Sequence, residues 1–231
     1  AEKEGAHGES VHRLSEADQS RCLPPRRGGV LFPMRRFSFF KPHERLDIRW
    51  RNLPHWEQPD VCYFLTFRTA DSLPRKVMDD WERERRDWLA ARGIDVELED
   101  WHAALVGLSA EDVKHFHRHF SARMHELLDA GHGACELKTE VIRQVVVDAL
   151  RHFDESRYLL GGLVVMPNHA HVLVQCLGET RLKPMCASWK RFTARRINEL
   201  LDQNGHFWQG ETYDHIVRSQ REFLHYRDYI R

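Results

Sequence analysis

Residues Val164–Gln175 read VVMPNHAHVLVQ, and this stretch decides how the rest of the chain is arranged. Apolar, β-branched residues stand on both sides of a Pro167-Asn168 pair. That pattern predicts two buried strands joined by a tight turn. In a strand, residues two apart share a face, so His169, His171 and Leu173 project together while Ala170, Val172 and Val174 face the other way. At the strand rise the two histidine Cα atoms lie about 7 Å apart, close enough for both imidazoles to reach one divalent ion if a third ligand joins them. Two satisfied core histidines are the plain alternative.

Outward from this hairpin, the remaining elements fall into an alternating order. DVCYFLTFR (Asp60–Arg68) follows Pro59 and has strand composition. The run Asp71–Gly93 predicts a helix, with Ser72 as cap, Val77, Trp81, Trp88 and Leu89 as its apolar positions, and Gly93 as its stop. A second helix starts at Ser109, where Asp112 makes a capping-box pattern, and Val113, Phe116, Phe120, Met124 and Leu127 line one side. On it, His115, His117 and His119 spread around the helix as exposed polar residues. Helices follow over Thr139–Asp154 and Arg181–Gly205, then a strand at ETYDHIVR. A last helix is capped by Ser219 with Glu222. Reduced to essentials this is βαββαβ plus a terminal helix, an α+β, ferredoxin-like antiparallel plan with 93–135 as a helical insertion. Residues 1–45, polar and then rich in Pro, Gly and Arg, read as a flexible basic/polar extension. Residues 46–231 form the folded domain.

Composition narrows the function. The chain has 231 residues with 42% hydrophobic content, enough for a real core, and no apolar run of membrane-spanning length. Thirty-five basic and thirty-five acidic residues cancel, so a polyanion site must be a local patch. Five cysteines without a CxxC pair argue against a disulfide framework or zinc ribbon and for a reducing, cytoplasmic setting. No glycine-rich phosphate loop is present, so no nucleotide cofactor is expected.

VVMPNHAHVLV resembles the metal-binding core of the HUH (His–hydrophobic–His) endonucleases, and more closely the tyrosine transposases of the IS200/IS605 kind and their relatives associated with repetitive extragenic palindromes. The resemblance runs from about Trp50 to the last residue. LTFR, SWKRFTARRIN, FWQGETYDHIVR and YRDYIR recur in the expected order. It implies that His169 and His171 hold Mg²⁺ or Mn²⁺, and that a helix-borne tyrosine attacks a phosphodiester of single-stranded DNA beside a hairpin. That tyrosine is Tyr229 by analogy. Spacing alone leaves Tyr226 and Tyr213 as rivals, though Phe223, Tyr226 and Ile230 form a packing stripe beside Tyr229. The family commonly places a third ligand, Gln or Asn, one turn after the nucleophile. That position would fall beyond Arg231, so the expectation is a trimmed C-terminus, or another residue or water completing the shell.

Substrate binding is expected from two segments. Arg181–Arg196 contains Arg181, Lys183, Lys190, Arg191, Arg195 and Arg196 with no acid among them, a phosphate-tracking surface interleaved with aromatics. Trp189, Phe192 and Ile197 supply the inward stripe of this helix. Trp208, Gln209, His215 and Arg218 are assigned to the rim of the site. The expected partner is single-stranded or hairpin DNA, bound by a monomer. The alternative is a ferredoxin-like DNA- or RNA-binding module without catalysis.

Overall fold

The computed structural model describes residues 28–50, 54–98 and 101–231. The part of the expected flexible extension over 1–27 and the expectation for the His117 side chain fall outside the described residues. The sheet contains β1 (Val30–Leu31), β4 (Cys62–Arg68), β5 (Tyr158–Val165), β6 (His169–Cys176) and β7 (Tyr213–Ile216), all antiparallel, in the order β1-β5-β6-β4-β7. Without β1, which is added at one edge, the order is that of a ferredoxin-like α+β fold. A separate hairpin, β2 (Asp47–Trp50) with β3 (Pro54–Glu57), runs alongside β7. Among the described residues there are six α-helices: α1 (Arg75–Ala90), α2 (Trp101–Val106), α3 (Ala110–Asp129), α4 (Glu140–Arg151), α5 (Leu182–Leu201) and α6 (Gln220–Ile230). None of the described helices is long and apolar enough to cross a membrane.

The alternation in β6 separates the two faces of the sheet. Ala170, Val172 and Val174, with Tyr63, Leu65 and Phe67 of β4, pack against α4 and α5 through Ile142, Val146, Leu150, Met185, Trp189 and Ile197. The opposite face carries Phe64 and Leu173 beneath Phe223 and Ile230 of α6. Gly161, at a bulge in β5, permits this second layer. A Cβ there would lie 2.8 Å from the Phe223 ring, so only glycine lets the aromatic seat itself on the strand.

Three expectations change. The helix that packs with α5 beneath the sheet is α4, so the insertion begins with α1 rather than at residue 93. Helices α1 to α3 share their own core of Trp81, Leu89, Ile94, Leu105, Phe116 and Phe120. Ser72 does not cap α1. It is buried and accepts a bond from Arg68, and Pro74 occupies the cap position, where its missing N–H costs nothing. Finally, residues 28–45 are not a free extension. Leu31, Phe37 and Phe39 pack with Phe223, Ser38 O accepts the Cys62 N–H, and Arg35 pairs with Asp154 and Glu155. The apolar residues mixed among the prolines and arginines outweigh the flexible look of the composition.

Candidate active site

The Pro167-Asn168 turn starts β6 at His169, and the ladder with β4 places Arg68 opposite His169 and Thr66 opposite His171. Directly opposed residues share a face. Val164 of β5 and Tyr213 of β7 extend the His171 row to either side. Both histidines are buried, each 1% exposed. Their rings turn toward one another, with Nε2 atoms 3.0 Å apart. The Nδ1 atoms are held from behind: His169 Nδ1 lies 2.7 Å from Asn168 Oδ1 and His171 Nδ1 lies 2.8 Å from Thr66 Oγ1. The Asn168 amide is oriented because its Nδ2 donates to His132 O at 2.9 Å. Its Oδ1 therefore accepts from His169 Nδ1, which leaves the Nε2 lone pair of a neutral His169 pointing into the site.

Two imidazole nitrogens this close require something between or before them, either a shared proton or a cation. Adjacent donors to an octahedral ion, each about 2.1 Å from it, stand about 3.0 Å apart, so the spacing of the pair fits a divalent metal. Thr66 and Asn168 hold the two rings by hydrogen bonds of the kind that orient imidazoles at metal sites. Among the described residues, no group of three or more His, Cys, Asp and Glu side chains could hold a metal ion. Asp129, the last residue of α3, reaches within 3.8 Å of His169 Nε2.

Helix α6 brings the tyrosines. The Ser219 hydroxyl accepts the Glu222 N–H at its start, the capping bond expected from sequence. Tyr229 places its hydroxyl 3.4 Å from His171 Nε2, with the rings 5.2 Å apart and edge to face. Tyr226 lies flat on Phe64, 4.1 Å between centroids, and burial raises its phenol above the usual range. The structure thus brings His169, His171 and Tyr229 together and gives Tyr226 the packing role. Tyr213 approaches from β7, its ring 5.8 Å from that of His125.

Sequence reading missed His125, Asp129 and Arg68. His125 of α3 lies 5.6 Å from His171 and 6.1 Å from Tyr229, ring to ring. Burial, together with the nearby His215, lowers its pKa to about 4, so it is a neutral wall of the site. The signal was the i, i+4 spacing of His125 and Asp129, which puts both on one side of α3. Arg68 ends the LTFR strand beside His169. Its guanidinium donates to Ser72 Oγ at 3.1 Å and Met78 Sδ at 3.9 Å rather than to a carboxylate, and burial lowers its pKa.

The residues assigned to DNA binding scatter. Helix α5 lies on the sheet face away from the histidines, so Lys190, Arg191, Arg195 and Arg196 do not line the site. Lys190 is half-buried and donates to Gly210 O and Thr212 Oγ1. Arg195 and Arg196 both pair with Glu199. Arg191 is exposed, and Phe192 is turned outward at 47% exposure instead of inward. Trp208 is not on the rim: it is 5% exposed, donates to Thr193 Oγ1 at 2.8 Å and packs on Phe67, because an indole with a buried partner stays in the core. Gln209 is half-exposed and its N–H donates to Arg68 O. His215 does face the site side, 3.0 Å from Glu222 Oε1. Arg218 is exposed, and its backbone N–H also binds Glu222.

No family model matches the sequence, and no curated protein does either. Among solved structures, the chain is similar to the REP-associated tyrosine transposase bound to a REP hairpin, with 12% identity and a TM-score of 0.35 over 73% of this chain. It spans 63% of that chain's length.

Proposed function

We propose that the chain is a metal-dependent endonuclease and strand transferase for single-stranded DNA flanked by a hairpin. The observation that carries this reading is the position of the Tyr229 hydroxyl, 3.4 Å from His171 Nε2 where the two imidazoles converge. The substrate class comes from the resemblance of VVMPNHAHVLV and its companion strings to the palindrome-associated transposases. His169 and His171 would hold Mg²⁺ or Mn²⁺, which when bound neutralises charge on the scissile phosphate.

The protein's own residues do the rest. Tyr229 Oη attacks phosphorus, the bond from phosphorus to O3′ breaks, the phenol proton passes to water, and the departing oxygen takes up a proton. A 5′-phosphotyrosine and a free 3′-hydroxyl remain. One phosphodiester replaces another, so the hydroxyl of a second strand can reverse the step without ATP. Arg68 adds a fixed positive charge beside His169 for the phosphate. Tyr229→Phe should form no covalent adduct with a labelled hairpin oligonucleotide, whereas Tyr226→Phe should keep it. An adduct persisting in Tyr229→Phe overturns the assignment.

A second reading, a binding module without catalysis, is favoured by the lack, among the described residues, of a three-donor group that could hold a metal ion. Nicking assays with and without EDTA separate the two. Tight DNA binding with no metal-dependent cleavage supports the module.

A further inference from the structure

We infer that Arg85, on the helical insertion, holds a phosphate of the single strand that flanks the one at the histidine pair, which makes α1 a track for the substrate. The inference rests on reading the chain as a single-strand DNA enzyme. It adds to that reading a phosphate site outside the sheet.

Position is the first support. Arg68 stands opposite His169 in the ladder, and its guanidinium reaches Met78 Sδ on α1 at 3.9 Å. Met78 and Arg85 are two helical turns apart, so they share a side of α1 and lie about 10 Å apart along its axis. Helical side chains lean toward the N-terminus of their helix. Arg85 accordingly folds back over Trp81, 4.9 Å from the ring centre, in the direction of Met78 and Arg68. The Glu211 carboxylate is near enough to favour the charge of both guanidiniums. The two arginines thus mark a line that leaves His169 along α1.

The second support is the state of the cation. Elsewhere on the insertion Arg83 pairs with Asp80 and Arg92 with Asp112. Arg85 is half-buried, and among the described residues it has no such carboxylate partner; it lies over the Trp81 ring and, at 5.8 Å, the Trp101 ring. Burial lowers the pKa of Arg85 and of Arg68, which Glu82 and Glu211 offset for Arg85 only in part. A guanidinium that has given up water without gaining an anion is favoured by one that arrives. Its planar fork matches two phosphate oxygens, while the indole faces hold it flat.

Trp81 provides the third. Its side chain is 6% exposed, and its Nε1–H is buried with no acceptor among the described residues. Buried donors are ordinarily satisfied. This one belongs to the ring that Arg85 covers, so a single anion beside the guanidinium can accept from both.

The test is binding of a labelled hairpin oligonucleotide with a single-stranded flank to the full chain, in EDTA and over a range of NaCl concentrations. Arg85→Gln should lower the logarithmic salt slope by roughly 0.7, the share of one single-stranded phosphate, and Arg85→Lys should keep it. Replacing the flank phosphates one at a time by neutral methylphosphonate should reveal a position at which wild type and Arg85→Gln bind alike. Trp81→Phe keeps a ring beneath Arg85 and removes the N–H. It should weaken binding about three- to ten-fold, a loss that vanishes at the same methylphosphonate position and that serves if Arg85→Gln does not fold. A merely structural role for Arg85 would lower the melting temperature and leave the slope as it is. If Arg68→Gln lowers the slope while Arg85→Gln does not, and no methylphosphonate position cancels either variant, the inference fails and the DNA reading stands. If wild type binds no oligonucleotide, the DNA reading fails first and the inference with it.

Discussion

Asn168 Oδ1 accepts a 2.7 Å hydrogen bond from His169 Nδ1, and the same amide donates to His132 O at 2.9 Å. The residue before the pair thus holds both a histidine ring and the loop leaving α3. Asn168→Ala removes both bonds without altering His169 or His171. Mn²⁺ affinity should fall about 10- to 100-fold with the fold intact, as measured by titration and circular dichroism.

The contact between Gly161 and Phe223 predicts a stability effect. A methyl group at Gly161 meets the aromatic ring at 2.8 Å and the Leu173 Cβ at 3.3 Å, both in a packed layer. Gly161→Ala should cost about 1–3 kcal/mol in urea unfolding. Because Phe223 anchors α6, yield of the tyrosyl adduct should drop with it, although residue 161 touches no reacting atom.

His55 makes the fold sensitive to alkali. It is clamped by Asp214 on one side and, at 3.1 Å, by Glu211 on the other, and these bonds raise its pKa to about 9. The folded value exceeds the unfolded one, about 6.5. The stabilisation is therefore complete below pH 6.5 and lost as pH rises through about 9. Discounted for the partial exposure of the ring, the loss is on the order of 2 kcal/mol. Thermal melts between about pH 6.5 and 9.5 should show it in wild type and not in His55→Gln.

The outer side of α5 offers a separate test of DNA binding. Arg191→Glu with Arg195→Glu should leave Mn²⁺ affinity unchanged, since a sheet lies between these residues and the histidines. If α5 tracks the strand, oligonucleotide binding weakens and its logarithmic salt slope falls by roughly 0.7 for each phosphate that is no longer neutralised. An unchanged slope removes α5 from the interface.

The strands, the turn and the terminal helix were legible because each rests on local signals. VVMPNHAHVLVQ alternates with period two around a Pro-Asn turn, and Ser219 with Glu222 marks a helix start. The pairing of His169 and His171 with Tyr229 was readable from spacing and resemblance together. His125 and Asp129 were not, since nothing near them in sequence says that α3 ends over β6. That placement depends on Asp71, Gly133 and Asn168, brought together only by the fold. Trp208 and Phe192 misled for a related reason. Trp208 is turned inward by the Thr193 hydroxyl and the Phe67 ring beneath it, which composition does not reveal.

The segment 30–40 does more than extend an edge. Arg227 donates to Phe32 O at 2.6 Å, 195 positions away in sequence, and Gly29 lies so close to Ile230 that a Cβ would overlap its carbonyl oxygen. Phe37 and Phe39 brace Phe223 from the same side. The chain's early residues are thereby a splint for its final helix. Trimming the protein up to its first long strand would keep His169, His171 and Tyr229 on paper, yet strip the helix that carries Tyr229 of the contacts that brace it opposite the sheet.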